Sequence, residues 1–218
     1  MTIYRLCVIT SVLTALAAIY AIFGVAIDQQ LPVHWGVSGQ ADRFTDATTA
    51  LIIPPIVMFA MLALILVLKF IEPRKEHIEQ SKQAIDSIIA AVVLLMFIME
   101  LGYFGLLAGW AVPMNLLVIF ALGLMFIIMG NFLGKVRSNF FIGIRTPWTL
   151  SSDHVWIKTH RLAGPLFMLA GLLTSVLCWL IPESAIAYLV LATITPAALI
   201  PTIYSWWLFN GEKKGASS

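Results

Sequence analysis

The chain has 218 residues, of which 61% are apolar and only 11% are charged. An ordinary soluble domain carries about 25% charged residues, and a soluble domain of this size has too much surface to hide so much apolar area. The composition therefore excludes a small soluble protein and predicts a protein whose apolar faces lie in a lipid bilayer. The net charge of +2 identifies no partner, but the positions of the charges are informative.

Six runs of mostly apolar residues follow one another, each long enough for a helix to span a bilayer, which takes about 20 residues. They cover residues 6–27, 51–71, 88–108, 114–133, 162–181 and 185–209. Strands of a membrane barrel alternate apolar and polar residues, so uninterrupted runs predict helices. The fold class is therefore all-α, a polytopic membrane protein with six transmembrane helices.

The lysines and arginines predict the orientation of the helices. All 13 except Arg43 lie in the amino end, the loops after the second and fourth runs, and the tail. Because cytoplasmic loops carry the excess of positive charge, both termini and the loop 134–161 are expected inside, and the loop 28–49 outside. We expect two modules: residues 1–84 with two helices and the outer loop 28–49, and residues 85–218 with four helices and the inner loop 134–161.

Several local features of the apolar runs carry expectations of their own. The first run is longer than the core of a signal peptide, although residues 24–26 weakly resemble a cleavage site, so removal of this run stays open. Cys7 and Cys178 are predicted near opposite membrane faces, about 25 Å apart, and are expected to be free, buried thiols that form neither a disulfide nor a zinc site. Small residues for close helix packing and prolines for a kink are expected at Gly102, Gly105, Gly109, Pro196 and Pro201.

The outer loop is rich in polar groups and turn residues. It reads as a turn, a short extended piece and a second turn, with one exposed indole. Its candidate contact residues are Pro32, His34, Trp35, Gly39 and Asp42. The loop is either a contact surface for something outside the cell or a compact lid whose indole lies among the lipid headgroups. A single histidine does not indicate a metal site.

The inner loop gathers cations and aromatic residues. Arg145 and Thr146 precede Pro147 and should be extended, and Ser151 or Ser152 can cap a helix that continues into the fifth run. The candidate binding residues are Asn139, Arg145, Thr146, Pro147, Trp148, Trp156, His160 and Arg161. They form either a site for an anionic group or ordinary anchoring at the inner membrane surface.

Glu100 is the one charged residue in the interior of an apolar run, since Lys69 lies near the end of the second. It is expected to face the bundle interior, either as a carrier of a proton or cation or in a helix-packing hydrogen bond to Tyr103, Asn115 or another helix. The loop 72–86, with charges of both signs, is expected to be a solvated helix end without chemistry.

The inner motif, from Asn139 through Phe141-Ile142-Gly143-Ile144-Arg145-Thr146-Pro147-Trp148 to Trp156 and His160-Arg161, closely resembles the signature of the SdpI family. The outer Pro32-Val33-His34-Trp35 with Gly39 and Asp42 resembles the small module of unknown function that often precedes that signature. The resemblance implies a bacterial cytoplasmic-membrane protein that gives immunity to a membrane-active peptide toxin on the outer side. It also implies a possible second function, holding a cytoplasmic repressor at the membrane.

These expectations leave other function classes open. The implied partners are the peptide toxin, membrane lipids and, for the second function, the repressor, with no cofactor, no metal and no direct contact with nucleic acid. A membrane enzyme would use His160 or His34 as general base and Arg145 with Arg161 as an anion clamp. A proton-linked transporter would use Glu100. In a purely structural reading, Arg145 ties the inner loop to helix ends.

Overall fold

A computed structural model describes residues 2–24 and 28–215 of the chain. Its helices in chain order are α1 (Ile3–Gly24), α2 (Ala47–Ile71), α3 (Lys75–Gln80), α4 (Lys82–Leu107), α5 (Met114–Leu133), α6 (Pro147–Ser151), α7 (Asp153–Leu177) and α8 (Ile186–Gly215), with a 3₁₀ turn at Glu183–Ala185. Within the described residues, six of these helices are long and apolar enough to cross a membrane: α1, α2, α4, α5, α7 and α8. The predicted multi-pass membrane fold is confirmed. Residues 25 and 26 of the segment that resembles a cleavage site lie outside the described residues.

The loop between α1 and α2 forms a β-hairpin. Strands β1 (Gln30–Trp35) and β2 (Ala41–Asp46) pair antiparallel, with Leu31 opposite Thr45. The sequence predicted one extended piece between turns, and the structure adds a second strand that pairs with it. Asp46 ends β2 and begins α2, because its carboxylate accepts a hydrogen bond from the Thr49 backbone N–H at 2.8 Å. This N-terminal cap fixes the hairpin directly to the helix.

Helices α5 and α7 pack with their backbones in contact. A Cβ atom built on Gly130 would lie 2.6 Å from the carbonyl oxygen of Gly164, and one built on Gly171 would lie 2.5 Å from the carbonyl oxygen of Gly123. Lipid tails are as apolar as leucine, so membrane helices associate through such close approach rather than through the hydrophobic effect. These four glycines therefore hold the second half of the bundle together.

The prediction that the glycines of the third run pack helices together is confirmed for Gly102 and wrong for Gly105 and Gly109. A Cβ atom on Gly102 would meet the side chains of Met114 and Leu117, so this glycine lets α5 approach α4 closely. A Cβ atom on Gly105 would meet Val112 in the link between α4 and α5. Gly109 has nothing within 4 Å of such an atom and instead adopts a positive φ of 81° in the link to α5. The sequence shows where small residues lie but not which helix they meet.

Helices α1, α2 and α4 meet along a common seam with two apolar clusters. One cluster, which includes Ala18, Leu51 and Tyr103, lies at the end of the bundle that carries the hairpin, which we call the hairpin end. The other cluster includes Cys7, Met58 and Val93 and lies toward the opposite end. Both cysteines are free and buried, as predicted. The two clusters mark two levels along the membrane normal.

The outer surfaces of the six long helices expose apolar side chains. Phe23 of α1 and Phe70 of α2 are each more than 70% exposed, which suits lipid contact and not water. Exposed tryptophans lie near both ends of the bundle, Trp110 near the hairpin end and Trp207 near the opposite end. Interfacial tryptophans of this kind mark the two headgroup layers. The placement of both termini in the cytoplasm and the division at residue 84 stay predictions.

Candidate functional site

The hairpin is fastened to the bundle by three side chains from separate elements. The Tyr103 hydroxyl of α4 donates to the Pro32 carbonyl at 3.1 Å, and the Asn115 amide of α5 donates to the Gly39 carbonyl at 3.1 Å. The Gln40 amide donates to the Glu183 carboxylate at 2.7 Å. The apolar anchor is Leu31, which is only 2% exposed. The outer loop is therefore a docked and ordered surface, with its position set by residues from the whole length of the chain.

Gly39 has to be glycine for two independent reasons. Its φ of +80° belongs to the left-handed region, which other residues rarely adopt. A Cβ atom there would also lie 2.5 Å from the Glu183 carbonyl oxygen. The turn of the hairpin consequently lies directly against the 3₁₀ turn before α8.

His34 and Asp42 form an exposed pair on the hairpin. The two strands are out of regular register on both sides of His34, which brings His34 Nδ1 within 2.6 Å of Asp42 Oδ1. The hydrogen bond from His34 holds the pKa of Asp42 below its usual value. Both side chains are about half exposed, at 54% and 53%, so the pair remains accessible from solution.

A cleft of about 420 Å³ separates the hairpin from the hairpin end of the bundle. Its walls include Trp35, Gln40, Phe44, Asn115 and Glu183. The indole of Trp35 is half-buried against the apolar cluster of the hairpin end, so the expectation of an exposed indole is wrong. The cleft therefore combines an aromatic wall with amide and carboxylate groups, a mixture that suits a peptide.

Asn139 organises the inner loop from a fully buried position. Its Oδ1 accepts from the backbone N–H groups of Phe141 and Ile142 at 2.8 and 2.7 Å. Its Nδ2 donates to the carbonyls of Arg137 and Ile142 at 2.8 and 3.1 Å. The amide oxygen thus accepts two hydrogen bonds and the amide nitrogen donates two, all within the loop. Asn139 therefore sets the path of the chain and leaves little for a ligand.

Trp156 and His160 are also buried and also bind backbone groups of the inner loop. As predicted from their spacing they share one face of α7, and their rings stack with centroids 4.1 Å apart. The Trp156 indole N–H donates to the Val136 carbonyl at 2.7 Å. His160 Nδ1 lies 2.8 Å from the Trp156 carbonyl, and Nε2 accepts from the Ile144 N–H at 2.9 Å. These bonds define the tautomer that carries its proton on Nδ1, so neither ring nitrogen is free to act as a base.

The short helix α6 places the remaining inner residues. Thr146 is extended before Pro147, as predicted, and caps α6 by accepting from the Thr149 N–H, while the Thr149 hydroxyl accepts from the Thr146 N–H. The Trp148 indole donates to the Ser205 hydroxyl of α8. Thus α6 is tied to the last transmembrane helix, a contact that spacing along the chain does not reveal.

The two arginines of the inner motif are exposed. Arg145 donates to the Phe140 carbonyl at 2.7 Å, a loop carbonyl rather than the helix end that the structural reading expected. Arg161 also lies on the surface. The structure therefore separates the motif into a buried group, with Asn139, Trp156 and His160, and an exposed group, with Arg145, Pro147 and Arg161.

Sequence reasoning missed Glu72, which was expected to be solvated but is fully buried. Its two carboxylate oxygens accept from the backbone N–H groups of Arg74 and Phe140, each at 3.0 Å. Arg74 in turn donates to the Ser138 hydroxyl and to the Leu150 carbonyl at 3.0 Å. The segment after α2 and the inner loop are therefore one structure. The sequence signal was an acidic residue directly after a long apolar run.

Glu100 lies in the bundle interior, 1% exposed, as predicted, but its expected hydrogen bonds are not formed. Tyr103 and Asn115, its two suggested partners, both bond the hairpin instead. Glu100 lines neither the cleft at the hairpin end nor the two apolar grooves between α1 and α4. Among the described residues, no group of three or more His, Cys, Asp or Glu side chains is placed to hold a metal ion.

Comparison with known proteins matches both motif regions. Residues 135–205 match the SdpI/YfhL protein family, and residues 9–59 match a domain of unknown function, DUF1648. The chain is 25% identical over 190 residues to the Immunity protein SdpI of Bacillus subtilis (strain 168), which covers 86% of this chain and 88% of that protein. No solved structure matches the chain. The inner motif thus lies within the SdpI/YfhL match.

Proposed function

We propose that this membrane protein, which carries an SdpI/YfhL family region and an upstream DUF1648 region, is an immunity protein that binds a membrane-active peptide in the cleft at its hairpin end. The similarity to the Immunity protein SdpI runs through nearly the whole chain and supports immunity in general. The observation that carries the proposal for the site is the docked hairpin, because its three fastenings keep an open cleft between an aromatic wall and polar groups.

The charges around the cleft favour a cationic peptide. The segments at the hairpin end contain one arginine, Arg43, against four acidic residues: Asp28, Asp42, Asp46 and Glu183. Complementary charge accelerates the encounter of two partners and helps to fix their orientation. Under this proposal the hairpin end faces the outside of the cell, where a secreted peptide arrives, and captures the peptide before it enters the bilayer.

The orientation is tested by labelling engineered cysteines. Val37 at the hairpin tip and Lys158 at the opposite end are both exposed, whereas the native cysteines are buried. A membrane-impermeant maleimide should label Val37→Cys in intact cells and Lys158→Cys only after permeabilisation. Labelling of Lys158→Cys in intact cells would contradict the proposed topology.

The function is tested by survival. A sensitive strain that expresses the full chain is challenged with a panel of synthetic cationic amphipathic peptides, and we expect protection against at least one of them. Glu183→Gln removes a charge from the cleft while keeping an acceptor for Gln40, and Glu79→Gln makes the same change on the exposed surface of α3. We expect Glu183→Gln to weaken protection and Glu79→Gln to leave it unchanged. Equal survival of all strains with every peptide would refute the proposal.

The exposed residues of the inner motif carry the second, separate part of the proposal. Arg145, Pro147 and Arg161 lie on the surface at the end opposite the hairpin and could contact a cytoplasmic partner such as a repressor. The double variant Arg145→Ala/Arg161→Ala should keep protection against the peptide and lose recruitment of such a partner, measured by co-purification from cells exposed to the peptide. If recruitment is unchanged in the double variant, this face is not the contact.

The geometry does not favour an enzyme. Both ring nitrogens of His160 are engaged in hydrogen bonds, and the ring is completely buried. His34 is accessible, but it is paired with Asp42 on the hairpin surface. We therefore propose binding and not catalysis.

A further inference from the structure

Glu100 is a buried acid whose chemistry the immunity proposal does not use. It is 1% exposed, and neither carboxyl oxygen has a hydrogen-bond partner. Transfer of an unpaired carboxylate into an apolar interior costs many kcal/mol, so such a group normally becomes neutral or acquires a partner. The absence of a nearby donor therefore requires that something else balances this side chain.

The neighbouring helix α2 has carbonyl groups without hydrogen-bond donors at the same level along the membrane normal. Leu51 shares the apolar cluster of the hairpin end with Tyr103, and Met58 lies in the other cluster. Glu100 is about one turn from Tyr103 along α4, and the buried Pro54 and Pro55 are about one turn from Leu51 along α2. Proline has no N–H, so the carbonyls of residues 50 and 51 lose their helical donors.

Helix α1 contributes only acceptors at this level. Ser11 and Thr14 are buried, and each hydroxyl donates to a carbonyl of its own helix, at Cys7 and Thr10 respectively, both at 2.8 Å. The Tyr103 hydroxyl is committed to the hairpin. The three-helix seam therefore brings together several oxygen acceptors, while the described side chains of these helices offer no free donor there.

We propose that Glu100 is an intramembrane proton-binding site, uncharged at neutral pH, whose O–H bonds one of the carbonyl oxygens that Pro54 and Pro55 leave without helical donors. One proton removes the charge from the acid and supplies the missing donor to α2. The site also joins α2 to α4 directly below the turn from which Tyr103 holds the hairpin.

The proposal is tested by infrared spectroscopy of the full chain in lipid nanodiscs at neutral pH. We expect the carbonyl stretch of a neutral carboxylic acid, shifted to lower frequency in heavy water and lost in Glu100→Gln, which keeps a donor of similar shape. Glu72→Gln is the matched control, because Glu72 is also buried but already accepts two N–H bonds. This control should retain the band.

Two results would overturn the assignment of a bound proton to Glu100, and a third would overturn the choice of acceptor. The first is a wild-type spectrum at neutral pH without a carboxylic acid band, which needs no variant. The second is a band that disappears when sodium replaces potassium in the buffer, which would assign the same oxygens to a metal cation. The double variant Pro54→Ala/Pro55→Ala restores both helical N–H donors, so the acid band should move to higher frequency. An unmoved band would show that these carbonyls are not the acceptors.

Discussion

Replacement of Asn139 by alanine should destabilise the protein far more than replacement of Arg145, although both residues belong to the same motif. Asn139 is completely buried and serves four backbone groups, two N–H and two C=O. At about 1 kcal/mol for each buried group left without a partner, Asn139→Ala should lower the free energy of unfolding by about 4 kcal/mol. Arg145 is exposed and makes one hydrogen bond, to Phe140, so Arg145→Ala should cost about 1 kcal/mol or less.

The assay is thermal unfolding of the detergent-solubilised chain, followed by the amount of monodisperse protein after heating. With about 2–4 °C per kcal/mol for a chain of this size, Asn139→Ala should unfold on the order of 10 °C below Arg145→Ala. Asn139→Asp keeps the acceptor for Phe141 and Ile142 but loses the two donated bonds, so it should also unfold below the wild type. Equal midpoints for Asn139→Ala and Arg145→Ala would refute the assignment of Asn139 to the support of the loop.

Three further outcomes follow from the same structure. Gly143→Ala combines a φ of +117° with a Cβ atom 2.5 Å from His160 Nε2, so it should cost about 2 kcal/mol or more and expose the inner loop to protease; unchanged digestion would contradict this. Gly130→Ala should lower the unfolding midpoint through its clash with the Gly164 carbonyl, whereas Gly211→Ala, with nothing within 4 Å, should not, and equal midpoints would argue against the α5–α7 contact. Because the hydrogen bond from His34 lowers the pKa of Asp42, this pair should stabilise the hairpin fully above pH 3.8, the usual pKa, and lose that effect as the pH falls through the lowered pKa. The acid transition is measured by Trp35 fluorescence. Asp42→Asn should abolish the transition, and a transition that persists in this variant would assign it to another group.

Features with a short-range cause could be predicted from the sequence. The six spans follow from run length and composition, and the cap of α7 follows from Ser152, whose hydroxyl accepts from the Val155 N–H. The shared face of Trp156 and His160 follows from their spacing of four residues, because the helical repeat brings i and i+4 together. In each case the interacting groups are within one turn or one apolar run of each other.

Features that depend on which elements meet could not be predicted. Glu72 was expected in water because charged residues surround it in sequence, but its carboxylate accepts from Phe140, 68 residues away. The glycines whose backbones meet across a helix contact lie in α5 and α7, and nothing in the sequence pairs these two helices. The partners of the hairpin are as distant in sequence, from 71 residues for Tyr103 and Pro32 to 143 residues for Glu183 and Gln40. A single sequence contains the spacing of residues within an element but not the pairing of elements.

The inner motif contains buried residues that support the loop and exposed residues that are available for contact with a partner. The polar atoms of Asn139 and His160 are hydrogen-bonded to backbone groups of the loop, so replacing either residue should affect stability and function together. Arg145 protrudes from that rigid loop and Arg161 protrudes from α7, so replacing them should change a contact and leave the fold intact. A loop held by so many internal bonds loses little conformational entropy when a partner binds, because its arginines are already positioned. The buried part of the motif would then serve the exposed part by pre-organising it.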